Sequence, residues 1–386
     1  MYQVPLVVYE QLREATPEEK RDIVLSLIEE HPRHRLELPE RDGMRADLSR
    51  VDLSSETLQG LVERRAGVPA AWWDALYKGA KLSFANLQGA NLSFANLQDA
   101  DLAGANLQGA NLFQAKLQRA NLILANLQDA SLRQAKLQEA RLLGANLQGA
   151  YLFDANLQGA YLWVAKLQGA RLYDAKLQGA HLRLAELQGV DLSRSKMRHC
   201  YLSEAWLDRT RLRRDQLGGA VGEERDGDYR GARVAYLGLK QNFDTLGDYA
   251  AASWAYRKER RMEKREALKE ARYAKAVGDQ IVELVCDYGE GFWRVLGCLA
   301  VLWFDFAVFY GIMGHVLADR GPVYSTTRNP FDLLSFSLAT MVTLEAPGLR
   351  PFASLLMRIL MPLQAALGIF FLGLLGFVAG NRIRRS

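Results

Sequence analysis

Ala80-Lys81-Leu82-Ser83-Phe84-Ala85-Asn86-Leu87-Gln88-Gly89-Ala90-Asn91-Leu92 opens a run in which Ala-x-Leu returns every five residues, without a break, to Ala185-Glu186-Leu187. Beyond it the small position passes to Val190, Ser195, Cys200, Ala205 and Thr210, and the run closes at Leu217. A period of five fits neither the turn of an α-helix nor the two-residue alternation of a strand. It fits a square coil with one pentad to a side, in which every Leu and every small residue points inward and the rest face water. Four sides make a coil of about twenty residues, stacked at a strand spacing of about 4.8 Å; residues 79–217 then form about seven coils and a rod roughly 34 Å long.

Ala85-Asn86-Leu87-Gln88-Gly89 and its neighbours resemble the A-[DN]-L-x-x motif of the pentapeptide-repeat family. The resemblance implies a right-handed quadrilateral β-helix over 79–217. Gln follows the central Leu in alternate pentads, from Gln88 and Gln98 to Gln188, which places it on two opposite faces. There it forms amide ladders along the stack or presents a partner-binding face. Some proteins of this family resemble DNA and inhibit topoisomerases, which requires a strongly acidic surface, whereas residues 79–217 carry 17 Lys/Arg against 11 Asp/Glu. The charges are scattered, and Tyr151, Tyr161, Trp163 and Tyr173 crowd one span instead of forming a regular stacking platform, so nucleic acid is not an expected partner.

Residues 1–78 read as a helical and capping region. The first apolar run, Val4 to Val8, is too short for a signal peptide and lacks a basic start. Thr16-Pro17-Glu18-Glu19 supplies an N-cap, a proline at the first helical position and acids in the first turn, for a helix that runs to Glu30 or His31 before Pro32. Asp47-Leu48-Ser49 and Asp52-Leu53-Ser54 foreshadow the repeat. Residues 218–290 read as a basic α-helical hairpin and linker. Tyr236, Leu239, Phe243 and Leu246 recur at helical spacing, Gly247-Asp248 breaks the run, and Tyr249, Ala252, Trp254 and Tyr256 begin a second helix. This resembles a single tetratricopeptide-type hairpin, expected to stack on the end of the rod. Nine Lys/Arg against four Asp/Glu between Arg257 and Lys275 give an excess equal to the +5 of the whole chain.

The 386 residues average 49% hydrophobic, which looks soluble only because the apolar part is concentrated at one end. Val295 to Val316 is interrupted only by Asp305 and His315, and Ile359 to Gly380 has no charge. Each is long enough to cross roughly 30 Å of hydrocarbon, giving transmembrane helices at about 293–317 and about 353–380 within a domain at 291–386. Basic residues before the first span and Arg382, Arg384 and Arg385 after the second place both termini in the cytoplasm of a multi-pass protein of a bacterial inner membrane. Between the spans, Asn329-Pro330 starts an apolar helix at about 330–342, too short to cross. Such a re-entrant segment is tolerated only where protein or a watery cavity surrounds it.

Phe336-Ser337-Leu338-Ala339-Thr340 resembles the F-S-L-x-T segment of the two-helix pore module of potassium channels, with outer helix, pore helix, filter and inner helix in this order. Glu345-Ala346-Pro347 stands where that family has Gly-Tyr-Gly, and neither Ala nor Pro reproduces its column of carbonyls. Potassium selectivity is therefore not expected. Thr343-Leu344-Glu345 is similar instead to the T-L-E core of bacterial sodium-channel filters, although the tryptophan that follows in those filters is absent. The likeness implies a filter at 343–348 in which Thr343 and Leu344 offer carbonyls, Ala346 follows, and Glu345 forms a ring that meets the permeating cation, the chain's single expected metal contact. In the inner helix Gly368 and Gly373 are candidate hinges and Phe371 and Leu375 candidate constrictions; glycine there also marks close helix packing. Asp305 is costly inside a membrane unless paired or wet, and Gln364 is a candidate partner.

The five His and three Cys lack metal-ligand spacing and no phosphate-cradling loop appears, so neither an enzyme nor a cofactor is expected. The sequence thus predicts a homotetrameric cation channel in a lipid bilayer, passing Na⁺, Ca²⁺ or cations without selectivity, with its cytoplasmic rod open to an unidentified regulator. The alternative is a membrane-anchored scaffold whose hairpin does not conduct.

Overall fold

Parallel bridges join each strand residue of the rod to the one twenty ahead: Lys81 to Asp101, Asn86 to Asn106, Asn91 to Asn111 and Asn96 to Lys116, and so on to Asp191 with Arg211. These four registers are the four faces of a quadrilateral β-helix, called the first to the fourth from Lys81. The computed structural model describes residues 6–30, 48, 78–313, 316–319, 324–344, 346–347, 349–351 and 355–383. The chain divides into two compact units, Met1–Glu266 and Ala267–Ser386.

Each side of the coil is made by one pentad and one turn. Leu82 O accepts from Ala85 N at 3.1 Å, and the second of the two residues between them, Phe84, is left-handed with φ 60°. The same turn recurs at every corner, sometimes with Gly but as often with Asp99, Arg119, Leu124 or Val164. A β-branched residue in this region is strained, so packing and the stacked backbone override local preference at Val164. The central Leu and the preceding Ala are buried along the whole rod and form one continuous core.

The amide ladder belongs to asparagine, not glutamine. On the second face Asn106, Asn126 and Asn146 each donate from Nδ2 to Oδ1 of the Asn twenty residues earlier, at 3.2 Å. Each Oδ1 also accepts the backbone N–H two residues on, as Asn86 does from Gln88 at 3.3 Å. The Asn position lies in the bridged strand, directly in register with its copies, whereas Gln sits at the corner. Gln148 does donate to Gln168 at 3.1 Å, but Oε1 of Gln118, Gln138 and Gln178 on the fourth face is buried without a partner.

Both ends of the rod are covered. Helices α1 (Leu6–Glu14) and α2 (Pro17–Glu30) contribute Tyr9, Leu12 and Val24 to the rod's hydrophobic cluster. Thr16 caps α2 as its sequence predicts, accepting from Glu19 N at 3.4 Å, and the Glu19 carboxylate in return accepts from the Thr16 amide at 2.8 Å, a reciprocity beyond that expectation. Leu48 is buried in the same cluster and donates its N–H to Asn86 O at 2.6 Å, while the Asp52-Leu53-Ser54 step lies outside the described residues.

At the far end a buried carboxylate takes the place of the next strand. Glu223, in the short helix α3 (Gly222–Arg225), accepts from Leu202 N at 2.7 Å and Ser203 N at 2.6 Å. Burial pushes its carboxyl above the usual glutamate range. Asn242, in α4 (Tyr229–Thr245), exchanges two bonds with the Thr210 backbone at 3.0 and 2.9 Å, and Gln216 Nε2 donates to Leu192 O and Ser195 O. Tyr236, Leu239 and Phe243 of α4 join the same core, with Trp254 and Met262 of α5 (Tyr249–Lys269). Gly247, φ 75°, reverses the chain between α4 and α5, and Asp248 accepts from Ala251 N to start α5. Part of the basic charge on α5 is internally matched: Lys258 and Arg265 reach Glu224, and Arg260 reaches Glu263, while Arg233 of α4 reaches Glu266.

In the second unit, α6 (Tyr273–Cys286) precedes α7 (Phe292–Met313), followed by β1 (Val316–Asp319), β2 (Tyr324–Thr326), α8 (Pro330–Met341), β3 (Leu349–Pro351) and α9 (Leu355–Ile383). The three strands form an antiparallel sheet in the order β2-β1-β3, which the sequence reading did not anticipate. Helix α7 ends at Met313, short of the span to about 317 that the sequence predicts, and residues 316–319 are strand.

Candidate functional site in the C-terminal helices

Helix α8 is 12 residues, about 18 Å, and lies against both α7 and α9. Its start is fixed by sequence: Asn329 accepts from Phe331 N at 3.2 Å, Pro330 is the first helical residue, and Thr327 donates to Asp332 at 2.8 Å. Its middle is held by a chain of buried hydrogen bonds. Trp303 Nε1 on α7 donates to Leu334 O at 2.7 Å, and Ser337 Oγ donates to Trp303 O at 2.8 Å. Gln364 of α9, fully buried, donates to Ser337 O at 3.0 Å and accepts from the Tyr310 hydroxyl at 2.6 Å. Three helices thus share one polar network, which in apolar surroundings fixes their register because each unmade bond is costly.

Gln364 is therefore occupied by Tyr310 and Ser337, and it is not the partner of Asp305. Asp305 points away from the network, on the exposed side of α7 with Val301, Phe304 and Val308.

At the end of α8 the chain reverses. Thr343 has φ 61°, Thr343 N donates to Thr340 O at 3.3 Å, and Leu344 N donates to Ala339 O at 2.7 Å. A β-branched residue in this left-handed region is strained, and such strain gathers at functional sites. The two amides are used by the helix cap, while no hydrogen bond among the described residues uses the Thr343 or Leu344 carbonyl. Leu344 is exposed, and Ala346 packs with Leu349 on the cluster around Tyr310 and Phe336. Glu345 lies outside the described residues. A cavity of about 880 Å³ opens beside the reversal, lined by Thr340, Thr343, Leu344, Pro347, Arg350 and Ala365 among others.

The inner-helix candidates separate by what they touch. A Cβ on Gly368 would run into the carbonyl oxygen and Cγ of Met341, so this glycine lets α9 approach the end of α8. Gly373 faces open space. Phe371 and Leu375 pack on the cluster of Cys286, Val295 and Val378. Neither contact was readable from spacing, because both join residues far apart in the chain. Among the described residues no three His, Cys, Asp or Glu gather as a metal site.

The family model for pentapeptide repeats matches in eight copies spanning residues 78–214. Residues 78–214 are a pentapeptide-repeat domain. Solved structures similar to the chain carry the same repeat. HetL of Nostoc sp. strain PCC 7120, a pentapeptide repeat protein involved in heterocyst differentiation regulation, is 28% identical over 49% of this chain and 90% of its own, with a TM-score of 0.30. A pentapeptide repeat protein of the Arabidopsis thaliana thylakoid lumen is 30% identical over 30% of this chain and 72% of its own, TM-score 0.20. Rfr23 of the cyanobacterium Cyanothece 51142 is 31% identical over 34% of this chain and 89% of its own, TM-score 0.13. No curated protein matches the chain. The pentapeptide-repeat domain is thus followed by a helical region holding two helices, Phe292–Met313 and Leu356–Gly380, long and apolar enough to cross a membrane.

Proposed function

We propose that the chain is one subunit of a homotetrameric cation channel of an inner membrane, with both termini and the pentapeptide-repeat domain in the cytoplasm. The observation that carries this reading is the short α8, wedged between two long apolar helices by the Trp303–Ser337–Gln364–Tyr310 network and ending in the strained reversal at Thr343. Only 22% and 11% of the two apolar windows are buried, which suits helices that meet lipid and neighbouring subunits better than helices of a soluble core.

Two membrane helices cannot enclose a pore, so subunits must assemble, and the order of elements is that of a fourfold pore. Around such an axis the Thr343 and Leu344 carbonyls, left unused by the cap of α8, receive a partly hydrated cation. A ring of Glu345 carboxylates attracts cations and repels anions. The sequence at 345–347 favours Na⁺, Ca²⁺ or weak selectivity over K⁺. Gly368 serves packing against Met341, which leaves Gly373 as the hinge candidate. The pentapeptide-repeat domain regulates opening by biasing two pore states.

Purified full-length protein in planar bilayers tests the proposal. Cation current is expected, and Glu345→Gln should abolish it or reduce its cation over anion preference. An assembled but silent tetramer would favour a membrane-anchored scaffold instead.

A further inference from the structure

The exposed large hydrophobic side chains of the rod are not spread over its four faces. Phe84, Leu124, Leu143, Trp163, Val164 and Leu184, with Tyr161 beside them, all belong to the first face; Trp206 is the exception. Leu124 is 69% exposed and Val164 47%. Equivalent corner positions on the second and fourth faces are Gln, Gly, Asp, Arg and Glu, with His199 once. Phe84 lies over Gly104 and Leu124 over Gly144, so the apolar surface continues across the coils that lack a side chain there. The small corner residues therefore extend the stripe instead of interrupting it.

We infer that this face pairs with the same face of a second copy of the chain, with the two rods antiparallel. Charge chooses the direction. Counted in coils from Lys81, the face carries Lys81 in the first, Asp101 in the second, Arg141 in the fourth, Arg183 in the sixth and Glu204 in the seventh. Reversal about a two-fold axis through the fourth coil sets the first coil against the seventh, the second against the sixth and the third against the fifth. The axis keeps each column against itself, so Asp101 lies one outward column from Arg183, within an arginine's reach, while Lys81 lies opposite Tyr201 and Glu204 opposite Phe84, the two charges at the two edges of the same paired coils. Leu124 meets Trp163 and Val164, and Leu143 meets its own copy. Arg141 alone meets its like, in the outer column open to water. Parallel pairing would instead set each of the five charges level with its own copy in the same coil, with no opposite charge in that coil. A self-complementary patch of this kind is what a two-fold interface requires. The pairing does not depend on whether the second unit conducts.

Cross-linking of the full-length protein with a short bis-maleimide, in a Cys298→Ser background, tests this. The other two cysteines, Cys200 and Cys286, are buried. Leu143→Cys, on the axis, should give a covalent dimer, and Arg133→Cys, on the opposite face, should not. Phe84→Cys mixed with Glu204→Cys should cross-link while Phe84→Cys alone does not. Arg183→Asp should reduce the Leu143→Cys dimer several-fold, and adding Asp101→Arg should restore it. Equal dimer from Leu143→Cys and Arg133→Cys would overturn the pairing, as would self-cross-linking of Phe84→Cys, which marks parallel rods, or a dimer indifferent to Arg183→Asp.

Discussion

The pentapeptide-repeat domain and the second unit solve the same problem, satisfying a polar backbone beside apolar side chains, in opposite ways. In the rod every coil supplies the backbone partners of the next, and the interior is two residue types used again and again. A single coil is expendable. In the second unit the helices satisfy their own backbones, and their mutual register rests on residues that occur once: Trp303, Ser337, Gln364 and Tyr310. The rod buries its Leu and Ala completely, while the long helices leave most of their apolar surface uncovered. Repetition makes a unit that is complete along its length, and singular contacts make one that needs an environment.

That contrast can be broken at single positions. The largest effect is expected at Gly368, where Val would press on the Met341 backbone, which has nowhere to go. Gly368→Val should cost about 3 kcal/mol, at the upper end for overpacking, and appear as loss of a monodisperse assembly in detergent and a much lower melting temperature. At the end of the rod Glu223→Ala leaves the Leu202 and Ser203 amides buried without an acceptor and should cost about 2–3 kcal/mol in denaturant unfolding, whereas Glu223→Gln keeps one acceptor and loses much less. Along the rod, Gly109→Val should cost only about 1–2 kcal/mol, because a Cβ there meets nothing and left-handed strain is the whole penalty.

The smallest effect is one of pH. Because burial raises the Glu223 carboxyl above its ordinary value of 4.5, the folded state holds the proton more tightly than the unfolded chain. Its contribution is complete below the unfolded value and is lost as pH rises through the raised folded one. Subtracting the Glu223→Gln stability profile from that of the native protein should give a difference that falls with pH across that window. A flat difference would mean that the cap is not titrating.

The Leu and Ala spacing made the coil legible because each residue's burial repeats with the chain's own period. The Thr16 cap and the Asn329-Pro330 helix start were legible for a related reason: both partners lie within four residues. The Gln ladders were misplaced because the spacing names the face but not whether a side chain stands in the strand or at the corner. Asn at the strand position is in register with its copies, and Gln at the corner mostly is not. The sheet of β1, β2 and β3 is not legible in the sequence because its strands are only three or four residues long and β3 pairs with β1 across the whole of α8.

By itself the sequence determined the rod, its length, the two apolar helices and the short helix between them, since periodicity and hydropathy act locally and repeat. Only the tertiary structure decided that Asn carries the amide ladder, that Glu223 and Asn242 close the last coil, and that Gln364 answers Tyr310 and not Asp305. It also decided that seven exposed apolar side chains from five separate coils fall on one face. Each of these joins residues about twenty or more positions apart, and no local pattern encodes which of many similar side chains arrives at such a meeting.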